Sequence, residues 1–362
     1  MGLGRYGWLG ALALSALRPR GEAREGEIVV CVAVADHFEP FAAGADEALA
    51  RRRVEAWVEG YHRAFEGLSD ALGRMPRHDF FYPLEQYRPW ALDMLGRLKQ
   101  AGVGEVEVHL HHQHDTSQAL ERRLKEYVRM LHERHGLLRT DEQERVVFGF
   151  IHGNWALDNS DPLGRWCGVN DEISVLARCG CYADFTMPSA PHPTQTRTIN
   201  SIYYAIDDPS RPKSHDTGLP ARVGQGPRGD LLMVQGVLAL DWTRRKWGLV
   251  PRLENSCLDW HLPPHPRRVR LWVRYAPVVK GAEHVRFVKL HCHGAIERNR
   301  EVVLGRAMRQ TLEQLLSHPR WRVVFCSCWE MVRLIHALEK GLGRSWEEIA
   351  SLLQGWWDTI EP

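Results

Sequence analysis

The chain has little of what usually places a protein quickly. Its eight cysteines include Cys179-Gly-Cys181 and Cys326-Ser-Cys328 but no Cys-x-x-Cys pair, so the ordinary spacing of a structural zinc site is missing. A secreted disulfide scaffold is also excluded, because such scaffolds are far shorter. Cys31, Cys292 and Cys326 fall in or beside expected strands, where small buried thiols are common. A reducing, cytoplasmic setting is the expectation. Neither sign of charge dominates. The 47 Lys and Arg against 45 Asp and Glu leave +2, which argues against a broad basic face and hence against nucleic acid as partner. No apolar run is long enough to span a bilayer. The longest, Tyr6 to Leu17, ends at Arg18-Pro19-Arg20 and lacks the small-residue cleavage site of a signal peptide. It reads as a short amphipathic or interfacial segment, so any membrane contact is peripheral and through the N-terminus. Internal repeats and low-complexity tracts are absent as well.

What is present is a rhythm. Ile28 to Ala35 is a continuous apolar run, as a strand buried on both faces requires. Asp46 to Phe65 then carries apolar residues at helical spacing. Expected strands at 79–82, 105–111, 145–152, 182–187, 231–240, 286–290 and 322–325 follow, with helices at 84–100, 118–135, 171–178, 298–317 and 328–340. Repeated strand-then-helix order implies parallel strands with right-handed crossovers. The expected fold class is α/β, a single (β/α)7-8 barrel-like domain over residues 27–342. An N-terminal extension (1–26) precedes it and a C-terminal tail (343–362) follows. Two excursions, at about 188–228 (with a short expected strand at 199–205 inside it) and 241–277, break the rhythm and read as irregular loop insertions over the C-terminal face.

Histidine is the residue in excess, with 19 in 362 residues. The run Glu107-Val108-His109-Leu110-His111-His112-Gln113-His114-Asp115 closes an expected strand. Alternation puts Val106, Val108 and Leu110 on one face and Glu107, His109 and His111 on the other. Two imidazoles two apart on one strand face converge in front of it, a common way to hold a divalent cation. Three other strands end similarly, in Asp36-His37-Phe38-Glu39, in His152-Gly153-Asn154-Trp155, and in His291-Cys292-His293. Parallel barrels gather reactive groups at the C-terminal ends of their strands. A carboxylate or imidazole from the first strand and two imidazoles from the third would leave coordination positions open, the mark of a catalytic site. Asp36 would then take a proton, and His291 or His293 would protonate a leaving group. For His152 alone, a hydrogen-bonded core histidine is as good a reading as a site residue.

This order of motifs resembles the polysaccharide deacetylase (NodB-like) group of (β/α)-barrel carbohydrate esterases, over roughly residues 27–340. The resemblance sets Ala35-Asp36-His37 at the family's Asp-Asp motif, in which the first Asp is the base and the second a metal ligand. It sets Glu107 to His114 at the His-x-x-x-His ligand motif, and Leu290-His291-Cys292-His293 at the late Leu-x-His motif of the general acid. The sequence departs from that pattern in three places. His37 replaces the second Asp; Gln113 and Asp115 stand four after His109 and His111; and no Arg-Pro-Pro motif is visible. The metal ligands implied are drawn from Asp36, His37, His109, His111 and His114, with the pair His109/His111, His111/His114 or His111/Asp115 left open. Substrate contacts fall to His152, Asn154, Trp155 and Tyr204. Trp155, Trp166 and Tyr204 serve as faces for a sugar ring, and 191–198 with 200–204 line the cleft.

The expected activity is that of a metal-dependent hydrolase, zinc first among divalent ions, removing an acetyl group from an N-acetylated sugar or other acetylated small molecule. Two alternatives belong to other classes. One is a glycosidase-like barrel using carboxylates among Asp36, Glu39, Asp158 and Asp171. The other is a non-catalytic glycan-binding or scaffold member.

Overall fold

The computed structural model describes residues 7–17 and 27–358. Eight strands build the central sheet: β1 (Ile28–His37), β2 (Asp79–Pro83), β3 (Val106–Leu110), β4 (Val146–His152), β5 (Cys181–Asp184), β6 (Leu231–Val234), β7 (Val285–Cys292) and β8 (Trp321–Phe325). All ladders among these eight are parallel. β1 is the hub. It pairs with β7 along one edge (Val29↔Val285 to Asp36↔Cys292). Its other edge is shared, with β8 beside Ile28–Val32 and β2 beside Ala35–His37. The path continues β2–β3–β4–β5–β6. The result is a mixed α/β fold with a large barrel-like sheet.

Alternation along the strands sorts the core into two layers. Val30, Val32 and Val34 of β1 pack outward with Trp57 and Phe80, against the helices. Cys31, Ala33 and Ala35 face inward, where their small size leaves room for the rings of Phe81, Phe185 and Phe287. Asp46 caps the helix Glu47–Phe65 by accepting from Leu49 N at 2.8 Å, and Ser327 with Glu330 forms a capping box on the helix Cys328–Glu339.

No ladder joins β6 to β7 among the described residues. Lys289 of β7 spans that seam. Its ammonium, fully buried, donates to Phe185 O (2.6 Å) and Met187 O (2.7 Å). Burial pulls its pKa down to about 8 against the opposing charge of Asp184. An unfolded lysine keeps its proton to about 10.4. Between about pH 8 and 10 the unfolded chain therefore binds more protons than the folded one, and the stability this residue contributes grows with pH and is lost as pH falls through about 8. The wild-type advantage over Lys289→Met should accordingly rise by up to about 1.4 kcal/mol per pH unit across that window. Urea titrations at intervals of half a pH unit check this, and a flat difference would remove the buried ammonium from the account.

Several expected elements take other forms. The single helix over 298–317 is two, Glu297–Val303 and Arg306–Leu316, separated at Gly305, where a Cβ would lie 2.2 Å from Glu301 O. The strand over 231–240 stops at Val234 and a new one starts at Ala239. Between them Gly236 passes so close to β7 that a Cβ would stand 2.7 Å from Lys289 O. The excursions are more ordered than an irregular loop. Ile202–Ala205 pairs antiparallel with β6 and with Gly218–Pro220. Ala239–Lys246 and Val250–Glu254 form an antiparallel pair tied to the helix Pro266–Tyr275. That tie is a fully buried bidentate pair, Arg268 Nε–Glu254 Oε2 at 2.7 Å and Nη2–Oε1 at 2.8 Å.

The expected C-terminal tail is largely the helix Trp346–Asp358, which buries Ile349 and Leu353. At the other end, the helix Gly7–Leu17 buries Trp8 and Leu12 beside Ala190 and Leu238 and leaves Leu9, Leu14 and Leu17 exposed. Tyr6 and Arg18-Pro19-Arg20 lie outside the described residues. Among the described residues no helix is long and apolar enough to cross a membrane.

Candidate metal centre

Period-two alternation also decides which strand-end side chains meet. On β1 the inward positions continue from Ala35 to His37, and the chain beyond brings Glu39 to the same place. β3 presents His109, and His111 follows one turn of the pleat later. Glu39 Oε1 lies 3.2 Å from His109 Nε2 and 3.0 Å from His111 Nε2. The far nitrogen of each ring is anchored. His109 Nδ1 faces Ile151 O at 2.8 Å, and His111 Nδ1 faces Glu85 Oε1 at 2.5 Å, on the turn after β2. A carbonyl only accepts, so His109 carries a proton on Nδ1, and Nε2 is the nitrogen left to face Glu39. A carboxylate oxygen and the Nε2 atoms of His109 and His111 thus converge on one point, where either imidazole protons or a divalent ion can sit between them. Outer partners on Nδ1 are what metal-ligating histidines usually have.

The local charges follow from this geometry. Burial would raise the Glu39 carboxyl, but its bonds to His109 and His111 outweigh that and hold it well below the usual carboxylate range. Burial would lower His111, but Glu39 and Glu85 raise it to about 9. Gly153 at the end of β4 is part of the cradle, since a Cβ there would stand 2.3 Å from His111 Cδ2.

Three further imidazoles line the same interior. His37 is T-shaped to His109 (ring centres 5.2 Å apart) and stacked on His293 at 4.6 Å. His37 Nε2 and His291 Nδ1 are buried without a hydrogen-bond partner. Burial first, then the neighbouring His293, His109 and His291 and the Lys289 ammonium, hold His37 well below the ordinary imidazole value, so its ring is neutral. His293 is half-buried, and Trp155 stands 6.2 Å from it, edge to face. Trp155 and Trp166 flank His192 at 5.6 and 5.7 Å. Aromatic faces therefore lead up to the histidine cluster.

The structure redistributes the residues expected from the sequence. His37, His109, His111, His291 and His293 share the interior. Asp36 does not, because it is one residue out of phase and points to the helix layer. There its Oδ2 lies 2.9 Å from His78 Nε2 and its Oδ1 accepts from Gly294 N at 2.7 Å. It braces the turn that carries His293. His114 is exposed, in a left-handed conformation (φ 52°). His152 also points outward, to His112. Asn154 is exposed, and Trp155 faces the cluster. Tyr204 is buried, with its hydroxyl donating to Glu339 Oε2 at 2.7 Å and no site histidine beside it. The carboxylates of the glycosidase alternative do not gather either. Asp158 accepts from Ser214 N and Asp171 from Ser117, away from Glu39.

The sequence pattern does not single out Glu85, Glu172 or Cys167, and it offers Glu39 only at the end of the first strand and as a carboxylate of the glycosidase alternative. Two signals were available for the centre itself. Glu39 continues the inward phase of His37, and Glu85 follows the end of β2 as the histidines follow the other strands. Among the described residues, three groups can coordinate a divalent ion: Glu39/His109/His111, Asp36/His78/Cys292 and His112/His152/Cys167/Glu172.

No family model matches the chain, and no curated protein matches it. Among solved structures it is similar to a Mycobacterium smegmatis protein assigned provisionally as a polysaccharide deacetylase. That likeness has 14% identity and a TM-score of 0.44, over 88% of this chain and 94% of the other. A likeness that distant transfers no residue's role, so the centre stands on its own geometry.

Proposed function

We propose that the chain is a metal-dependent hydrolase that cleaves the acetamide of an N-acetylated sugar. The observation that carries this reading is the convergence of Glu39 Oε1 with the Nε2 atoms of His109 and His111, at 3.2 and 3.0 Å, beside His37, whose Nε2 has no partner, and half-buried His293. Two imidazoles and a carboxylate suit zinc and leave coordination positions for substrate and water. An ion held there supplies Lewis-acid polarisation of the amide carbonyl and makes water acidic enough to attack at neutral pH.

The protein's own groups do the rest. His109 and His111, locked by Ile151 O and Glu85, hold the acceptor geometry with little reorganisation. Neutral His37, whose Nε2 has no other partner, accepts a hydrogen bond from the attacking water and orients it, and the water's proton passes to solvent. His293, on the open side of that pair, gives a proton to the departing nitrogen. Trp155 and Trp166 offer their faces to the apolar C–H face of a pyranose ring.

The test combines ion content with turnover. Elemental analysis should find one ion fewer per chain in the His109→Ala/His111→Ala double variant than in the wild type. Acetate release from N-acetylglucosamine oligomers should disappear with it. An unchanged ion count in a folded double variant would sink the centre. Full ion content with no release from any acetylated saccharide would sink the substrate class.

A further inference from the structure

His111 and His112 are neighbours in the chain but point to opposite sides of the sheet, the first to the interior and the second to the helix layer. There His112 meets His152, Cys167 and Glu172, and all four are buried. His112 Nε2 lies 2.8 Å from His152 Nε2 and 3.0 Å from Glu172 Oε1. His152 Nε2 is 3.5 Å from that oxygen, and Cys167 Sγ is 3.4 Å from Glu172 Oε2. One donor atom from each residue falls within 4.8 Å of all the others. His152 Nδ1 faces Gly153 O at 2.5 Å, so the proton of a neutral His152 sits there and its Nε2 offers a lone pair into the group.

We propose that these four side chains form a second metal site, a closed structural one that takes zinc. Two imidazoles, a thiolate and a carboxylate make up a full tetrahedral set with no position left for substrate. Mixed sulfur and nitrogen donors favour zinc over magnesium or calcium. Binding sends the Cys167 thiol proton to solvent as the sulfur–zinc bond forms. The ligands come from the ends of β3 and β4, from the loop between β4 and the next helix, and from the first residue of the helix Glu172–Arg178. With His112–His152–Cys167–Glu172 spread over four segments, no short cysteine motif announces the site.

Its effect would be on the loop between His152 and Cys167. That loop carries Trp155 and Trp166 and holds five non-glycine residues in left-handed backbone: Asn154, Trp155, Asp158, Asn159 and Trp166. Such backbone persists only where its surroundings over-determine it. An ion bonded at both ends of the loop supplies that constraint, and it places the aromatic wall against the interior histidines.

The competing occupant is a proton held by His112 alone. Wild-type protein should carry two ions per chain, and Cys167→Ser and His109→Ala/His111→Ala one each. Cobalt(II) loaded into the His109→Ala/His111→Ala protein should show a thiolate-to-cobalt charge-transfer band, which Cys167→Ser abolishes in the wild-type background. The interior centre has no sulfur, so that band separates this site from the proposed hydrolytic one. Should Cys167→Ser fail to fold, zinc-edge X-ray absorption on the double variant decides, with one sulfur at about 2.3 Å and two imidazoles expected, against the single imidazole of Asp36/His78/Cys292. A double variant that holds no ion, or an ion with no sulfur neighbour, would overturn the proposal.

Discussion

Glu39→Gln is expected to empty the interior centre, whereas Asp36→Asn keeps its ion. The contrast follows from strand phase. Glu39 puts one oxygen 3.2 and 3.0 Å from two imidazole nitrogens, while both oxygens of Asp36 are engaged with His78 and Gly294 on the other side of β1. Loss of a ligating carboxylate should exceed the roughly 10–100-fold that removal of an outer partner such as Glu85 costs in affinity. Glu85→Gln thus serves as an internal scale, falling between wild type and Glu39→Gln. Titration of zinc against a competing chelator ranks the four proteins. If Asp36→Asn lost the ion and Glu39→Gln held it, the ligand set implied by the deacetylase resemblance would replace the one built here.

The second large effect is on turnover alone. His293→Ala should lower kcat by about 10²–10⁴-fold, the usual contribution of a positioned proton donor, with ion content unchanged. His293 stacks on His37 at 4.6 Å, is half-buried, and stands edge to face with Trp155 at 6.2 Å, on the side where a ring's substituent would leave. An anilide substrate, whose departing amine needs little help from an acid, should suffer much less than an alkyl amide. Equal losses on both would assign His293 to packing against His37, not to proton transfer.

Much of the fold was legible because burial and period leave marks in sequence. β1 is apolar from Ile28 to Ala35 since both its faces are covered, and Val106, Val108 and Leu110 alternate with Glu107 and His109 since one layer is aliphatic and the other polar. Helices with good caps, such as Glu47–Phe65 and Cys328–Glu339, lie close to their expected bounds. Breaks were harder to see. Gly236 interrupts an element because the backbone of Lys289, remote in sequence, passes within reach of a Cβ, a contact no local pattern records, whereas Gly305 crowds Glu301 O only four residues earlier. The paired strands inside the second excursion were hidden by their exposure, although the helix Pro266–Tyr275 buries Val269, Trp272 and Val273 at helical spacing. Their polar, tryptophan-rich sequence carries little alternation, and what orders them is the buried Arg268–Glu254 pair.

By itself, then, the sequence determined an α/β chain of parallel strands whose C-terminal ends carry histidines, because strand period and composition are local properties. It also determined that His109 and His111 share a face. Only the tertiary structure decided that Glu39 and not Asp36 joins them, that Glu85 and Ile151 O lock their rings, and that His112 leaves its neighbour to meet His152, Cys167 and Glu172. Metal ligands are chosen by convergence of atoms within a few ångströms. Convergence depends on the register and twist of strands far apart in the chain, which no run of neighbouring residues encodes.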